Sequence, residues 1–341
     1  MQEENNIKRR VLFHRSWTIF NGGTSGGQIK VRDAFEHFTE SDVFLPKVHF
    51  GKETEWFDNP GNVWLPYRKQ AVKEWGTQKS DVLFFAGVDW KVLSEAERKN
   101  PPVPIINIAQ PRHINPDDKR NGYLKHPAIR IAKSSIGKKI LEDYGVNGPV
   151  YLIPDAIEFE ALPTPNMSPD IDILIIGLKN EGMARSLEQR LNFRNRFRFK
   201  KLKIAIQVPP KLPTRMDFIN LLNRCKIAVF LPLDEARGAE GFYLPALEGM
   251  RLQKLVVCPY AVGNIDFCIP DVTCIQPKYT ENDIYKSIIR AIKMPTLQRK
   301  EMVKKALQIS ENHNIKKEKE SLLKLLHNAD EIWNQRNLFW S

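Results

Sequence analysis

Two glutamates, Glu240 and Glu248, flank the stretch Gly241-Phe-Tyr-Leu-Pro-Ala-Leu247. Pro245 suits the first turn of a helix, where its missing N–H costs nothing. The spacing predicts Glu240 in the loop before that helix and Glu248 about one turn inside it. The amides of Gly241, Phe242, Tyr243 and Leu244 then lie at a positive helix end, which suits an anion such as a diphosphate. A carboxylate accepts two hydroxyl hydrogen bonds at once, which suits a vicinal diol. The same residues also allow a plainer reading, with Glu248 as a first-turn acid on the helix dipole and Glu240 as a solvated loop residue.

Apolar runs on both sides frame the segment. Lys226–Leu233 precedes it and Lys254–Tyr260 follows, each reading as a buried strand. Strand, loop, helix and strand make a βαβ unit. Its polar residues fall at the carboxyl end of a strand, where open α/β sheets bind ligands.

The run Glu-Gly-Phe-Tyr-Leu-Pro-Ala-Leu-Glu resembles the E-x7-E signature of retaining GT-B glycosyltransferases, especially family 4. That signature usually reads E-G-F-G-L-P-x-L-E-A-M, followed by G-x-P-V-V. Here Tyr243 stands at the usual Gly and Gly249 at the usual Ala, and Gln253–Val257 replaces the second stretch. The resemblance implies an α/β GT-B fold, with two Rossmann-like domains facing across a cleft. It implies transfer from a nucleoside-diphosphate sugar, with retention, no cofactor and no metal. Glu240 would hold the donor sugar and Glu248 the ribose.

Relatives add an Arg and a Lys after the first strand of the second domain. Lys179 and Arg185 are the nearest cations here, and Arg237 is a third candidate for the phosphates. Each could equally be a solvated charge. Gly263-Asn264 resembles the small-residue loop near the donor. Gln110-Pro-Arg-His113 follows a predicted strand, and many relatives carry a functional His there. His113 could bond the donor sugar and Arg112 an anion, although a lone His is commonly structural. The loop Asn21–Gln28 holds Gly23, Gly26 and Gly27 ahead of an amphipathic stretch. Glycines there let a backbone approach a ligand closely, or simply make a tight turn. The Gly26-Gly27 pair best resembles the Gly-Gly loop of GT-B enzymes.

The elements that must position these residues follow from the apolar pattern. Predicted strands are Arg10–Arg15, Asp42–His49, Asp81–Ala86, Pro104–Ala109, Ile129–Lys133 and Val150–Ile153 in the first half. A helix over Ser134–Gly145 ends in a glycine cap. The second half is read as strands over Ile171–Gly177, Lys201–Val208, Lys226–Leu233, Lys254–Tyr260 and Val272–Gln276. Helices over Glu281–Lys293, Thr296–Glu311 and Lys316–Trp333 follow. The expected domains are 1–158 for the acceptor and 159–341 for the donor, with the last helix returning to the first domain.

The chain has 341 residues, 42% hydrophobic and 27% charged, the composition of a globular protein. No apolar run approaches the roughly 20 residues of a membrane span. The polar N-terminus reads as no signal peptide. Cys225, Cys258, Cys268 and Cys274 share no C-x-x-C spacing, which points to reduced packing residues in a cytoplasmic protein.

A net charge of +12 attracts anions: nucleotides, anionic lipid or nucleic acid. Arg190–Lys203 alternates cations with aromatics. It could contact phosphates and stack bases, lie on an anionic membrane, or form an edge strand with a basic face. The acceptor stays open between a lipid-linked or surface glycan at the inner membrane face and a modified base in DNA. A protein that binds a nucleotide sugar without transferring it is a further alternative. Asp170-Ile-Asp172 spells the metal-binding D-x-D of another fold. It starts a predicted strand instead of ending one, so it is not expected to bind a metal.

Overall fold

The computed structural model describes residues 8–18, 26–56, 62–233 and 240–340. The chain divides into two compact units. One comprises Met1–Lys133, Gly137–Ile153 and Glu318–Ser341, and the other Ser134–Ile136 and Pro154–Lys317.

In the first unit, six strands form one parallel sheet: β1 (Arg9–Arg15), β2 (Phe44–Phe50), β3 (Val82–Ala86), β4 (Ile105–Ile108), β5 (Ile129–Ala132) and β6 (Val150–Leu152). Their order is β2-β1-β3-β4-β5-β6, with every pairing parallel. The central strands are buried on both faces, which is why they read as unbroken apolar runs. Pro46 is tolerated because β2 is an edge strand. Helix α1 (Gly26–Thr39) packs Val31, Ala34, Phe35 and Phe38 onto Phe13 and Phe84. Helix α2 (Glu95–Lys99) starts with a Ser94/Glu97 capping box, and α3 (Ser135–Tyr144) ends at Gly145 with φ +72°. Residues from Glu318 onward belong to this unit. Glu318 is buried there and pairs with Lys30 at 2.5 Å and Lys133 at 3.5 Å.

The second unit has four parallel strands, β7 (Ile171–Ile176), β8 (Ile204–Gln207), β9 (Cys225–Phe230) and β10 (Leu255–Val257), in the order β10-β9-β7-β8. Helices α4 (Glu181–Asn195), α5 (Arg215–Asn223) and α6 (Leu244–Arg251) connect them, and α7 (Glu281–Lys293) and α8 (Thr296–Ser310) follow. The chain leaves β7 for β8 on one side and then crosses to β9 on the other. The topological switch point therefore lies at the carboxyl ends of β7 and β9.

Three expectations are corrected. Arg190–Lys203 is not an edge strand: its first part is the last turns of α4, and β8 begins only at Ile204. Ala184, Leu187 and Leu191 recur at helical spacing and are buried, which outweighs the Arg/Phe alternation. Val272–Gln276 is no strand but adds isolated bridges, Ile275 to Val257 and Cys274 to Pro270. The turn at Asp271, with φ +59°, precedes it, and Pro277 follows without an N–H to extend the ladder. The stretch read as one helix over 316–333 is two, α9 (Ile315–His327) and α10 (Ala329–Asn334), interrupted at Asn328.

Candidate functional site

Glu240 lies where the second unit's switch point requires a ligand-facing group. Its carboxylate pairs with Lys179 Nζ from the loop after β7 and accepts the Leu233 amide, just beyond β9, at 3.0 Å. The Glu240 residue is 6% exposed, while the Lys179 side chain is 42% exposed. The ammonium thus holds a buried carboxylate from a partly open position. Lys179 also lies 6.0 Å from the Tyr243 ring centroid.

The loop carrying Glu240 rests on a second loop, after β10. Glu240 bridges to Val262, and the Tyr243 amide donates to the Gly263 carbonyl at 3.3 Å. A Cβ on Gly263 would meet Phe242 N at 2.5 Å and Glu240 O at 2.6 Å, so only glycine permits this approach. Asn264 is fully buried; its Nδ2 donates to the Pro259 carbonyl at 2.9 Å, and its Oδ1 accepts from the Ala261 amide at 3.0 Å. Asn264 therefore shapes the loop, and its amide side chain faces inward. The Tyr243 amide, engaged with Gly263, is not part of the expected anion-facing set.

Tyr243, where the resembling family carries Gly, points into the core. Its ring packs edge-on to Phe230 at 6.0 Å, and burial pushes the phenol well above its ordinary pKa. Phe230 also explains Gly249, where a Cβ would come within 3.1 Å of that ring.

Pro245 occupies the first turn of α6, as expected, and Glu248 is buried on that helix. Its carboxylate pairs with Arg215, the first residue of α5, which Thr214 and Asp217 start with a capping box. Lys211 lies in the loop between β8 and α5. Burial lowers its pKa, and the Lys179 charge lowers it further. Lys179, Lys211 and Arg215 thus all leave the carboxyl ends of β7 and β8. Arg215 and Lys211 were not read from the sequence, although Thr214-x-x-Asp217 was a legible helix start.

The remaining candidates separate. Arg185 pairs with Glu181 one turn away on α4, at 2.7 Å and largely exposed, and is not joined to Glu240. Arg237 and Gly23 lie outside the described residues.

In the first unit, Gly26 and Gly27 are the exposed first residues of α1. Next to them the Gln28 Oε1 accepts from Arg15 Nη2 and Trp64 Nε1, both at 2.9 Å. Arg15, ending β1, pairs with buried Asp89 beyond β3 at 2.6 Å, an ion pair the motifs did not reveal. His113 sits in a short 3-10 turn, Pro111–Ile114, after β4. Its Nδ1 accepts the Gln110 amide at 3.3 Å, which places the proton on Nε2. That Nε2 is buried without a hydrogen-bond partner among the described residues. Burial, helped by Arg120 and Arg112, drives the His113 pKa down to about 3, so the imidazole is neutral. A neutral Nε2–H can donate to a hydroxyl. Arg112 is half-buried in the same turn.

The D-x-D carboxylates are engaged at the start of β7. Asp170 pairs with Arg224 and Asp172 with Lys226, each at 2.6 Å. Among the described residues, no group of three or more His, Cys, Asp or Glu could hold a metal ion. The four cysteines are free and buried. No described helix is long and apolar enough to cross a membrane.

A family model described as glycosyl transferases group 1 matches residues 155–330. No curated protein matches the chain by sequence. Solved structures share the fold at low identity. Sucrose-phosphate synthase (tll1590) from Thermosynechococcus elongatus superposes with a TM-score of 0.69 at 11% identity, covering 95% of this chain and 100% of its own. Anabaena Alr3699/HepE, solved in complex with UDP-glucose, gives 0.68 at 12% identity, over 94% and 99%. The lipopolysaccharide outer core galactosyltransferase WaaB gives 0.61 at 11% identity, over 94% and 99%. Both parallel sheets accord with this GT-B likeness.

Proposed function

Because this chain belongs to the glycosyl transferases group 1 family, we propose that it moves a sugar from a nucleoside-diphosphate sugar to an acceptor hydroxyl. The observation that carries this reading is the Lys179–Glu240 pair at the β7/β9 switch point, with Gly263 packed against the same loop. An ammonium beside a buried carboxylate offers one charge to a diphosphate and the other to sugar hydroxyls. Lys211 and Arg215 add positive charge that can stabilise the leaving diphosphate as the glycosidic bond breaks. In this reading that charge does the work a metal would otherwise do. Glu248 takes the ribose diol, for which Arg215 fixes the carboxylate. His113, in the first unit, carries a neutral Nε2–H that can donate to a hydroxyl.

Retention of configuration is our assignment from the Glu240/Glu248 signature. The acceptor we favour is a lipid-linked or surface glycan, reached from the cytoplasmic side by a protein that touches an anionic membrane. The +12 charge supports that placement.

A thermal-shift screen of UDP-, GDP-, dTDP- and ADP-sugars tests the donor assignment. A ligand that binds only the folded state raises the melting temperature by mass action. The reading requires a rise with at least one donor and its loss in Glu248→Ala. No rise with any donor overturns it.

A further inference from the structure

The end of α4 and the turn after it form an apolar and basic protrusion that the donor site does not use. Phe193, Phe197 and Phe199 are 62%, 78% and 108% exposed. From Arg190 to Lys203 the chain carries seven Lys or Arg and no Asp or Glu. Three of these cations are engaged locally, Arg198 by donating from Nε to the Lys200 carbonyl at 3.3 Å. Arg190 pairs with Glu281 at 2.9 Å and lies on the Tyr285 ring at 4.1 Å. Lys201 Nζ closes the helix by donating to the carbonyls of Asn195 at 3.1 Å and Arg196 at 2.7 Å. Arg194, Arg196 and Lys200 are exposed beside the rings.

We propose that this protrusion docks on an anionic lipid surface, with the phenylalanines entering the headgroup boundary and the cations meeting lipid phosphates. Three uncovered rings among cations have the composition of an interfacial anchor, since lipid removes the rings from water while leaving the charges hydrated. Single-stranded nucleic acid fits less well. It stacks bases on open ring faces, whereas Phe193 and Phe197 pack edge to face, 5.5 Å apart at 72°. A symmetric contact with a second copy would set like charges against each other.

The inference deepens the membrane part of the proposed function, and its test separates from the donor assignment. Co-sedimentation with phosphatidylglycerol/phosphatidylcholine vesicles is compared with pure phosphatidylcholine, at low and high salt. The donor-induced melting shift is followed on the same preparations. Wild type should pellet with the anionic vesicles only, and less at high salt. F197S/F199S should weaken binding about tenfold, and R194Q/R196Q about fivefold per cation. Both variants should melt normally and keep the donor shift. Binding unchanged in both variants overturns the proposal, as does no preference for anionic vesicles. So does an oligothymidylate complex, or a dimer, that the phenylalanine variant loses while vesicles go unbound. Loss of the donor shift with vesicle binding intact would instead count against the donor site alone.

Discussion

Lys179 and Glu240 join the loops beyond two adjacent parallel strands, so one ion pair bridges the switch point of the second sheet. A second pair, Arg15 with Asp89, does the same between β1 and β3 of the first sheet. In each sheet these are the strands from which successive connections diverge, leaving the crevice where α/β folds take ligands.

Lys179→Met should reduce kcat/KM for the donor about ten- to a hundredfold, the cost of one charged hydrogen bond. Some stability is lost too, since buried Glu240 is left without its cation, but less than for a fully buried pair because the Lys179 side chain is 42% exposed. Glu240→Gln keeps the Leu233 contact but loses the charge. It should lower kcat while leaving the UDP-sugar melting shift largely in place. Steady-state kinetics beside thermal shift read both, and a wild-type kcat in Glu240→Gln would remove Glu240 from the chemistry.

Gly263→Ala places a methyl group within 2.6 Å of backbone atoms of Glu240, Gly241 and Phe242. Backbone cannot swing aside as a side chain can, so the loop must move. Overpacking of this kind costs about 1–3 kcal/mol. A lowered melting temperature together with weaker donor binding is expected. Normal values for both would show that the two loops do not depend on each other.

Arg215→Ala leaves buried Glu248 without its cation. The donor KM should rise about tenfold, with kcat less affected, because the proposed ribose site loses the geometry of its carboxylate. Some stability is lost too, less than for a fully buried pair because Arg215 is one-third exposed. Arg215→Lys should restore only part of the KM, since a point charge does not reproduce a guanidinium fork.

Acid should destabilise the fold through its buried histidines. Burial holds His113 near pKa 3 and His14 and His37 near 4, against 6.5 when unfolded. Below about pH 6.5 the unfolded chain takes up protons that the folded one refuses, so stability falls until His14 and His37 titrate near pH 4 and His113 near pH 3. Asp89 acts in the opposite sense. Burial raises it to about 6 despite Arg15, so its contribution is present at low pH and lost as pH rises through 6. Three histidines against one aspartate leave a net fall. Urea unfolding midpoints across this range measure it, and His113→Gln should make the fall shallower. A flat profile would show that these imidazoles are not held neutral.

Much of the second unit was legible because it is local. Pro245 starts α6, Glu248 falls one turn in, and apolar runs mark β7 and β9, all within reach of periodicity and capping rules. The Arg/Phe stretch misled for the same reason. Its alternation looks like a strand, while the three buried residues that make it a helix lie mostly upstream.

The sequence alone marked out the residues proposed to receive a sugar nucleotide, since two carboxylates spaced around a proline-started helix need no distant partner to be noticed. Tertiary structure decided what charges them. Lys179 reaches Glu240 from 61 positions away, Arg215 reaches Glu248 from 33, and Gly263 closes against the Glu240 loop from beyond a third strand. Parallel pairing brings the ends of separated strands side by side, and that adjacency has no trace in local spacing.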